Sequence, residues 1–347
     1  MLPVLAHEAG TLYLSLPVAF TVRKMQSFLA ATGWSYRLEG GFFALEVPAG
    51  ALPSYCVQLD EGFTAIERGA TRALFVAGNR APGLADLLEA DSLARISARS
   101  RAGQLVETLG VHLTSAYQPI VDAQSLEIFG YEALLRTTPG APLEGVEGIF
   151  RIARAADLLP QTDLAARKTA IACAGGIGPT ARLFINFVPS SIYDPKSCLR
   201  STTIALDEAG IAHERVIFEV VESEEVADPA YLIDILRAYR NAGFKVALDD
   251  LGAGFSSLNL LHVLRPDFVK LDMALVRDID RDPFKAMLGA KLIEAAHALG
   301  MTVVAEGIES AEEFAWLREN GAHLLQGFYL APPAAVPAPR IERANLV

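Results

Sequence analysis

Eight polar residues interrupt or end short apolar stretches: Glu132 in FGYEALL, Asn186 in RLFINFV, Glu219 in RVIFEVV, Asp249 and Asp250 in KVALDDL, Lys270 in DFVKLD, Glu306 in TVVAEGI and Gln326 in HLLQGFYL. A single buried glutamate in such a place is more often a core group satisfied by hydrogen bonds, and a single lysine a rim residue paired with an acid. Five carboxylates brought to one place are a different matter, because unpaired buried charge is costly and like charges repel, so the group demands cations. Oxygen donors plus one amide, without His or Cys, favour Mg²⁺ or Mn²⁺ over zinc or copper. The neighbours Asp249 and Asp250 can turn towards two ions while one carboxylate bridges them, and a pair of ions about 3.5–4 Å apart suits phosphodiester cleavage by water. Glycoside hydrolysis needs two carboxylates flanking a sugar and leaves the Asn and Lys without a role. Lys270, two residues before Asp272 and on the same strand face, can position or deprotonate the water or neutralise phosphate charge.

These residues need a scaffold that gathers strand ends. Eight short, β-branched-rich segments provide it: SAYQPIV, FGYEALL, RLFINFV, RVIFEVV, KVALDDL, DFVKLD, TVVAEGI and HLLQGFYL. Helical stretches alternate with them, which predicts a (β/α)8 barrel whose functional groups collect at the strand ends. PAYLIDILRAYRNAG and DPFKAMLGAKLIEAAHALG each end in Gly, and SAEEFAWLRENG carries a capping box between Ser310 and Glu313. Residues 111–335 are assigned to the barrel and 336–347 to a tail. Residues 1–84, with strands in LYLSLPVAF and WSYRLEGGFFALEV around an amphipathic helix, predict a small α+β regulatory domain, and 85–110 a connecting helix.

Composition narrows the classes. The chain has 347 residues, 52% hydrophobic and 20% charged, which excludes disorder. A net charge of −11 argues against gripping a DNA or RNA polymer. No apolar run is long enough for a membrane span, and MLPVLAHEAG lacks the features of a secretory signal, so the expected location is cytoplasmic. Cys56, Cys173 and Cys198 are too dispersed for a zinc site or a disulfide framework.

The motifs then carry a resemblance. Tyr131-Glu132-Ala133-Leu134-Leu135-Arg136 contains the triplet EAL, with Tyr117-Gln118-Pro119-Ile120 before it. FINFVPSS, FEVVE, ALDDLGAGFSSL, VKLD, VAEGIES and LLQGFYLAPP follow, in the order found in EAL-domain phosphodiesterases. Over roughly residues 105–335 the chain resembles that family. The resemblance implies a modified TIM-like barrel with one antiparallel strand that opens cyclic-di-GMP to linear pGpG using two Mg²⁺ or Mn²⁺ ions. It implies that Glu132, Asn186, Glu219 and Asp249 hold one ion, and Asp249, Asp250 and Glu306 the other. Lys270 would orient the water, while Arg136, Gln326 and Gln118 would contact the substrate or its surroundings. Glu309 would anchor the loop after the Asp pair, and a homodimer would form through barrel helices and that loop. The chain departs from the family pattern beside the ligands, with Glu219-Val220-Val221-Glu222 and with Leu251, Ala253 and Phe255 in the loop, but no implied ligand is missing. The alternative function is a receptor that binds cyclic-di-GMP without cleaving it and signals to a protein.

Overall fold

The computed structural model describes residues 8–143, 145–192, 195–221, 229–252, 261–262, 264–338 and 340–341. The chain divides into two compact units, Met1–His112 with Gly140–Thr162, and Leu113–Pro139 with Asp163–Val347.

The first unit is an α+β layer. Strands β1 (Gly10–Ser15), β2 (Tyr36–Glu39), β3 (Phe42–Val47), β4 (Arg72–Ala77) and β5 (Asp91–Ser92) form an antiparallel sheet in the order β2-β3-β1-β4-β5. Alternation along β1 buries Leu12 and Leu14. Against that face pack Met25 and Leu29 of α1 (Ala19–Thr32) and Leu52, Cys56 and Leu59 of α2 (Leu52–Gly62). Helix α1 stops at Gly33, whose φ of 70° few other residues adopt cheaply. A short helix α3 (Ala65–Ala70) opens with a capping box between Thr64 and Glu67.

The stretch expected as one connecting helix is broken. It comprises α4 (Leu84–Leu88), β5, α5 (Leu93–Ser100) and α6 (Ala102–Val111). Ser92 restarts the chain as an N-cap, its hydroxyl accepting the Arg95 N–H, and Leu93 joins the core beneath the sheet.

The second unit is an eight-stranded closed barrel. Its strands are β6 (Leu113–Asp122), β7 (Ile128–Thr137), β8 (Arg182–Phe187), β9 (Val216–Val221), β10 (Lys245–Leu251), β11 (Phe268–Leu271), β12 (Thr302–Ala305) and β13 (Leu324–Leu325). All eight strands expected from the sequence are present. Neighbours run parallel except at β6, which is antiparallel to both β7 and β13, so the fold is a modified TIM barrel.

Two apolar layers follow from strand alternation. One residue set, including Leu183, Ile185, Phe218, Val246, Val269 and Val303, packs outward against helices such as α10 (Pro229–Asn241) and α12 (Pro283–Ala298). Between these two helices in the chain comes α11 (Met273–Val276), and α13 (Ala311–Glu319) carries the expected Ser310–Glu313 capping box. The other set, Ile120, Phe184, Ile217, Ala247, Phe268, Val304 and Leu324, forms a separate cluster inside the barrel. Phe184 and Phe268 meet edge to face there, 5.6 Å between ring centroids.

Phe184 is fully buried in this inner layer, so Phe184→Ala should cost about 3–5 kcal/mol of unfolding free energy. Chemical denaturation checks this, and a loss below about 1 kcal/mol would contradict the described packing.

Candidate functional site

The pleat that fills the barrel also builds its mouth. Two residues beyond each inner apolar residue, the next inward position towards the strands' C-terminal ends is polar. Phe184 leads to Asn186, Ile217 to Glu219, Ala247 to Asp249, Phe268 to Lys270, Val304 to Glu306 and Leu324 to Gln326. On antiparallel β6 the same step runs backwards, from Ile120 to Gln118, and Gln118 stands opposite Glu132 in the β6–β7 register.

These side chains converge on Lys270, which is 1% exposed. Its Nζ lies 2.7 Å from Glu219 Oε1, 3.1 Å from Asp249 Oδ1 and 3.9 Å from Glu132 Oε1, and pairs closely with Glu306 Oε1. Burial by itself would lower the lysine pKa, but the Asp249, Glu132, Glu219 and Glu306 carboxylates outweigh it and hold the ammonium well above the usual lysine range. One ammonium cannot balance four carboxylates. Burial, reinforced by Glu132 and Asp249 and only partly opposed by Lys270, accordingly pushes Glu219 and Glu306 well above the ordinary carboxylate range.

Amides orient Glu132. Its Oε1 accepts from Asn186 Nδ2 at 3.2 Å and its Oε2 from Gln326 Nε2 at 2.7 Å. Gln326 Nε2 also donates to Gln118 Oε1 at 3.1 Å, and Gln118 Nε2 to the Ala331 carbonyl at 3.3 Å. Gln118 and Gln326 thus act on the carboxylate as a linked pair, a partnership that their distance in sequence conceals.

At the Asp pair, strand β10 departs from regularity. The β10–β11 register shifts between Leu248 and Leu251, and Asp250 has a φ of 59°. Aspartate tolerates this left-handed geometry better than most residues, and its N–H donates to Asp249 Oδ1 at 3.0 Å. Adjacent carboxylates can therefore leave one strand end in different directions.

Two expected site residues stand apart. Arg136 is exposed, its guanidinium bonded to the neighbouring Leu135 carbonyl. Glu309 is exposed and paired with Arg277. The loop it was expected to anchor falls at residues 253–260, outside the described residues, as do Ala253, Phe255 and Glu222. Sequence reasoning recognised Glu313 only as a helix cap. Its carboxylate also accepts the N–H groups of Asp278 and Glu309, at 2.9 and 2.8 Å, and so fixes the turn that follows Glu306. Gly327 permits a second close approach there, since a Cβ at that position would lie 2.2 Å from the Ile308 carbonyl oxygen.

Among the described residues, no three acidic side chains surround a common point as a finished metal shell; the Lys270 ammonium occupies their midst. The donor chemistry nevertheless fits a hard divalent cation. Four carboxylates and an amide converge, and the buried Glu219 Oε2 has no hydrogen-bond partner.

Residues 104–333 match the EAL domain model. The chain belongs to the EAL domain family. A curated relative, the cyclic di-GMP phosphodiesterase PdeR of Escherichia coli, is 32% identical over 166 residues, covering 48% of this chain and 25% of PdeR. The chain thus spans well under a third of that relative's length. A standalone EAL protein from Vibrio cholerae, solved with c-di-GMP bound, is 36% identical with a TM-score of 0.60, covering 67% of this chain and 97% of that one. Klebsiella pneumoniae BlrP1, solved with manganese and c-di-GMP, is 26% identical with a TM-score of 0.60, covering 94% of this chain and 96% of BlrP1. No helix among the described residues is long and apolar enough to cross a membrane.

The charge imbalance gives a pH signature in chelator-treated protein. Glu219 and Glu306 have folded pKa values raised above their unfolded ones, so their contribution to stability is complete below the unfolded value and is lost as pH rises through the folded one. Glu219→Gln removes part of that dependence. Its melting temperature relative to the unsubstituted protein should therefore rise between about pH 5 and about pH 8. A pH-independent difference in thermal melts would show that the carboxylates are not in electrostatic conflict.

Proposed function

We propose that this chain is a divalent-metal-dependent phosphodiesterase that hydrolyses cyclic-di-GMP to linear pGpG. The observation that carries the reading is the convergence of Glu132, Glu219, Asp249 and Glu306 on one buried lysine at the barrel mouth, in a chain of the EAL family.

Glu132, Asn186, Glu219 and Asp249 would hold one ion, and Asp249, Asp250 and Glu306 a second. Bound Mg²⁺ or Mn²⁺ would neutralise phosphate charge and make a water more acidic. The chain's own groups supply the rest. Forming pGpG requires a water oxygen to bond to phosphorus while one ribose 3′-oxygen leaves. Lys270, held protonated by its neighbours, is suited to donate hydrogen bonds to the water or to the phosphoryl oxygens, rather than to remove a proton. Gln326 and Asn186 keep the Glu132 carboxylate turned inward, and Gln118 keeps Gln326 in place. Arg136, exposed on β7 four residues beyond Glu132, is suited to an anionic substrate.

Regulation by the first unit belongs to the same proposal, supported by that unit's own hydrophobic core. So does homodimerisation. Met273, Phe284 and Met287 on α11 and α12 are 48%, 75% and 67% exposed, and apolar surface of this size on neighbouring elements favours association.

Purified protein with Mn²⁺ or Mg²⁺ should convert cyclic-di-GMP to pGpG, followed by chromatography, and a chelator should stop it. Glu132→Ala should abolish turnover while circular dichroism stays native. Lys270→Ala should lower kcat by about 10²-fold or more with a much smaller change in KM. Binding of the dinucleotide without any pGpG would replace this reading with that of a non-catalytic receptor.

A further inference from the structure

The barrel contains a second buried charge cluster, which the preceding mechanism does not use. Helix α8 (Leu159–Ala172) carries Asp163 and Arg167 one turn apart, both 1% exposed. Asp163 Oδ2 lies 2.9 Å from Arg167 Nη2 and 3.1 Å from its Nε. Arg167 Nη1 continues to Thr202 Oγ1 of α9 (Pro195–Ala209) at 2.6 Å and to the Tyr239 hydroxyl of α10 at 3.3 Å.

A buried ion pair is a poor device for stability alone, because apolar residues of similar volume often serve as well or better. What distinguishes this pair is what the carboxylate holds. Asp163 Oδ1 accepts the Val188 N–H at 3.2 Å, and Oδ2 accepts the Ser191 hydroxyl at 2.9 Å. Val188 and Ser191 follow Asn186 by two and five residues, on the chain that leaves the end of β8. There Ser191 N–H closes a tight turn onto the Val188 carbonyl at 3.0 Å. Asn186 in turn donates to Glu132. A continuous path therefore runs from the ion pair, through the turn, to the amide at the mouth.

We propose that the Asp163–Arg167 pair is a positioning device that fixes the turn after β8 and so holds the Asn186 amide in register with Glu132 for metal binding. The inference rests on the reading of Asn186 and Glu132 as ligands. Arg167 directs the Asp163 carboxyl group by a two-point contact, and Asp163 transmits the constraint through two hydrogen bonds. Outer partners of metal ligands act in this way, setting orientation and affinity without touching the ion.

The test is the double variant Asp163→Leu with Arg167→Met, which removes both charges together and leaves neither buried alone. It should still fold, with native circular dichroism and a cooperative thermal transition, at a melting temperature lowered by the loss of an acceptor for the Val188 N–H and the Ser191 hydroxyl. Its affinity for Mn²⁺, measured by titration calorimetry without dinucleotide, should fall about tenfold or more, and KM for cyclic-di-GMP at saturating Mn²⁺ should scarcely change. A crystal structure of the variant should show the Asn186–Glu132 hydrogen bond lost. A folded double variant with unaltered Mn²⁺ affinity and that bond intact would overturn the proposal. If the double variant does not fold, Ser191→Ala removes one of the two hydrogen bonds and no charge. A few-fold loss of Mn²⁺ affinity in it supports the proposal, and unchanged affinity overturns it. Should the unsubstituted protein itself bind no Mn²⁺, the metal reading fails separately, and the Asn186–Glu132 geometry in the variant crystal decides the positioning role by itself.

Discussion

One buried lysine among four carboxylates, three of them buried, sets the terms for the rest of the barrel. Lys270 is in ion-pair contact with Glu132, Glu219, Asp249 and Glu306, so the site carries more negative charge than a single ammonium can offset. An apolar core would exclude such a group, since ions left unpaired in low dielectric are among the costliest features a fold can hold. It persists here because it lies at the open end of a layered barrel, and its excess negative charge has the sign that a divalent cation, as in the proposed function, would offset.

The barrel supplies this site by simple periodicity. Inward-facing residues alternate with outward-facing ones, so an apolar layer formed by Phe184, Ile217, Ala247, Phe268 and Val304 is followed two residues later by a polar one. The first layer closes the bottom of the site and fixes the strands. The antiparallel β6 contributes from the opposite chain direction, which lets Gln118 face Glu132 and Gln326. A barrel made only of parallel strands would not bring a residue of that segment to the same level by the same step.

Around the carboxylates the structure relies on buried polar partners on turns. Glu313 holds the backbone that follows Glu306, and Asp163 holds the backbone that follows Asn186. Glu313 accepts the Glu309 and Ser310 N–H groups, and Asp163 the Val188 N–H and the Ser191 hydroxyl, donors that a turn would otherwise leave unpaired. The result is a rim whose acidic and amide side chains sit at strand ends and whose exits are tied to helices, a construction that limits how far those side chains can move.

Local pattern alone marked the eight strands, the barrel and most of the polar groups at its mouth, through β-branched runs, helix stop signals and polar residues near strand ends. The same local reasoning expected a single helix over 85–110, where the Ser92 cap and the burial of Leu93 beneath the first sheet broke it into pieces. Tertiary structure alone decided the protonation of Lys270, the linkage of Gln118 to Gln326 and the placing of Arg136 and Glu309 outside the buried cluster. It also gave Asp163 and Arg167 their partners on the turn after β8, on α9 and on α10. These features arise from distances between segments far apart in the chain and from the low dielectric they create together, neither of which is encoded in any one stretch of residues.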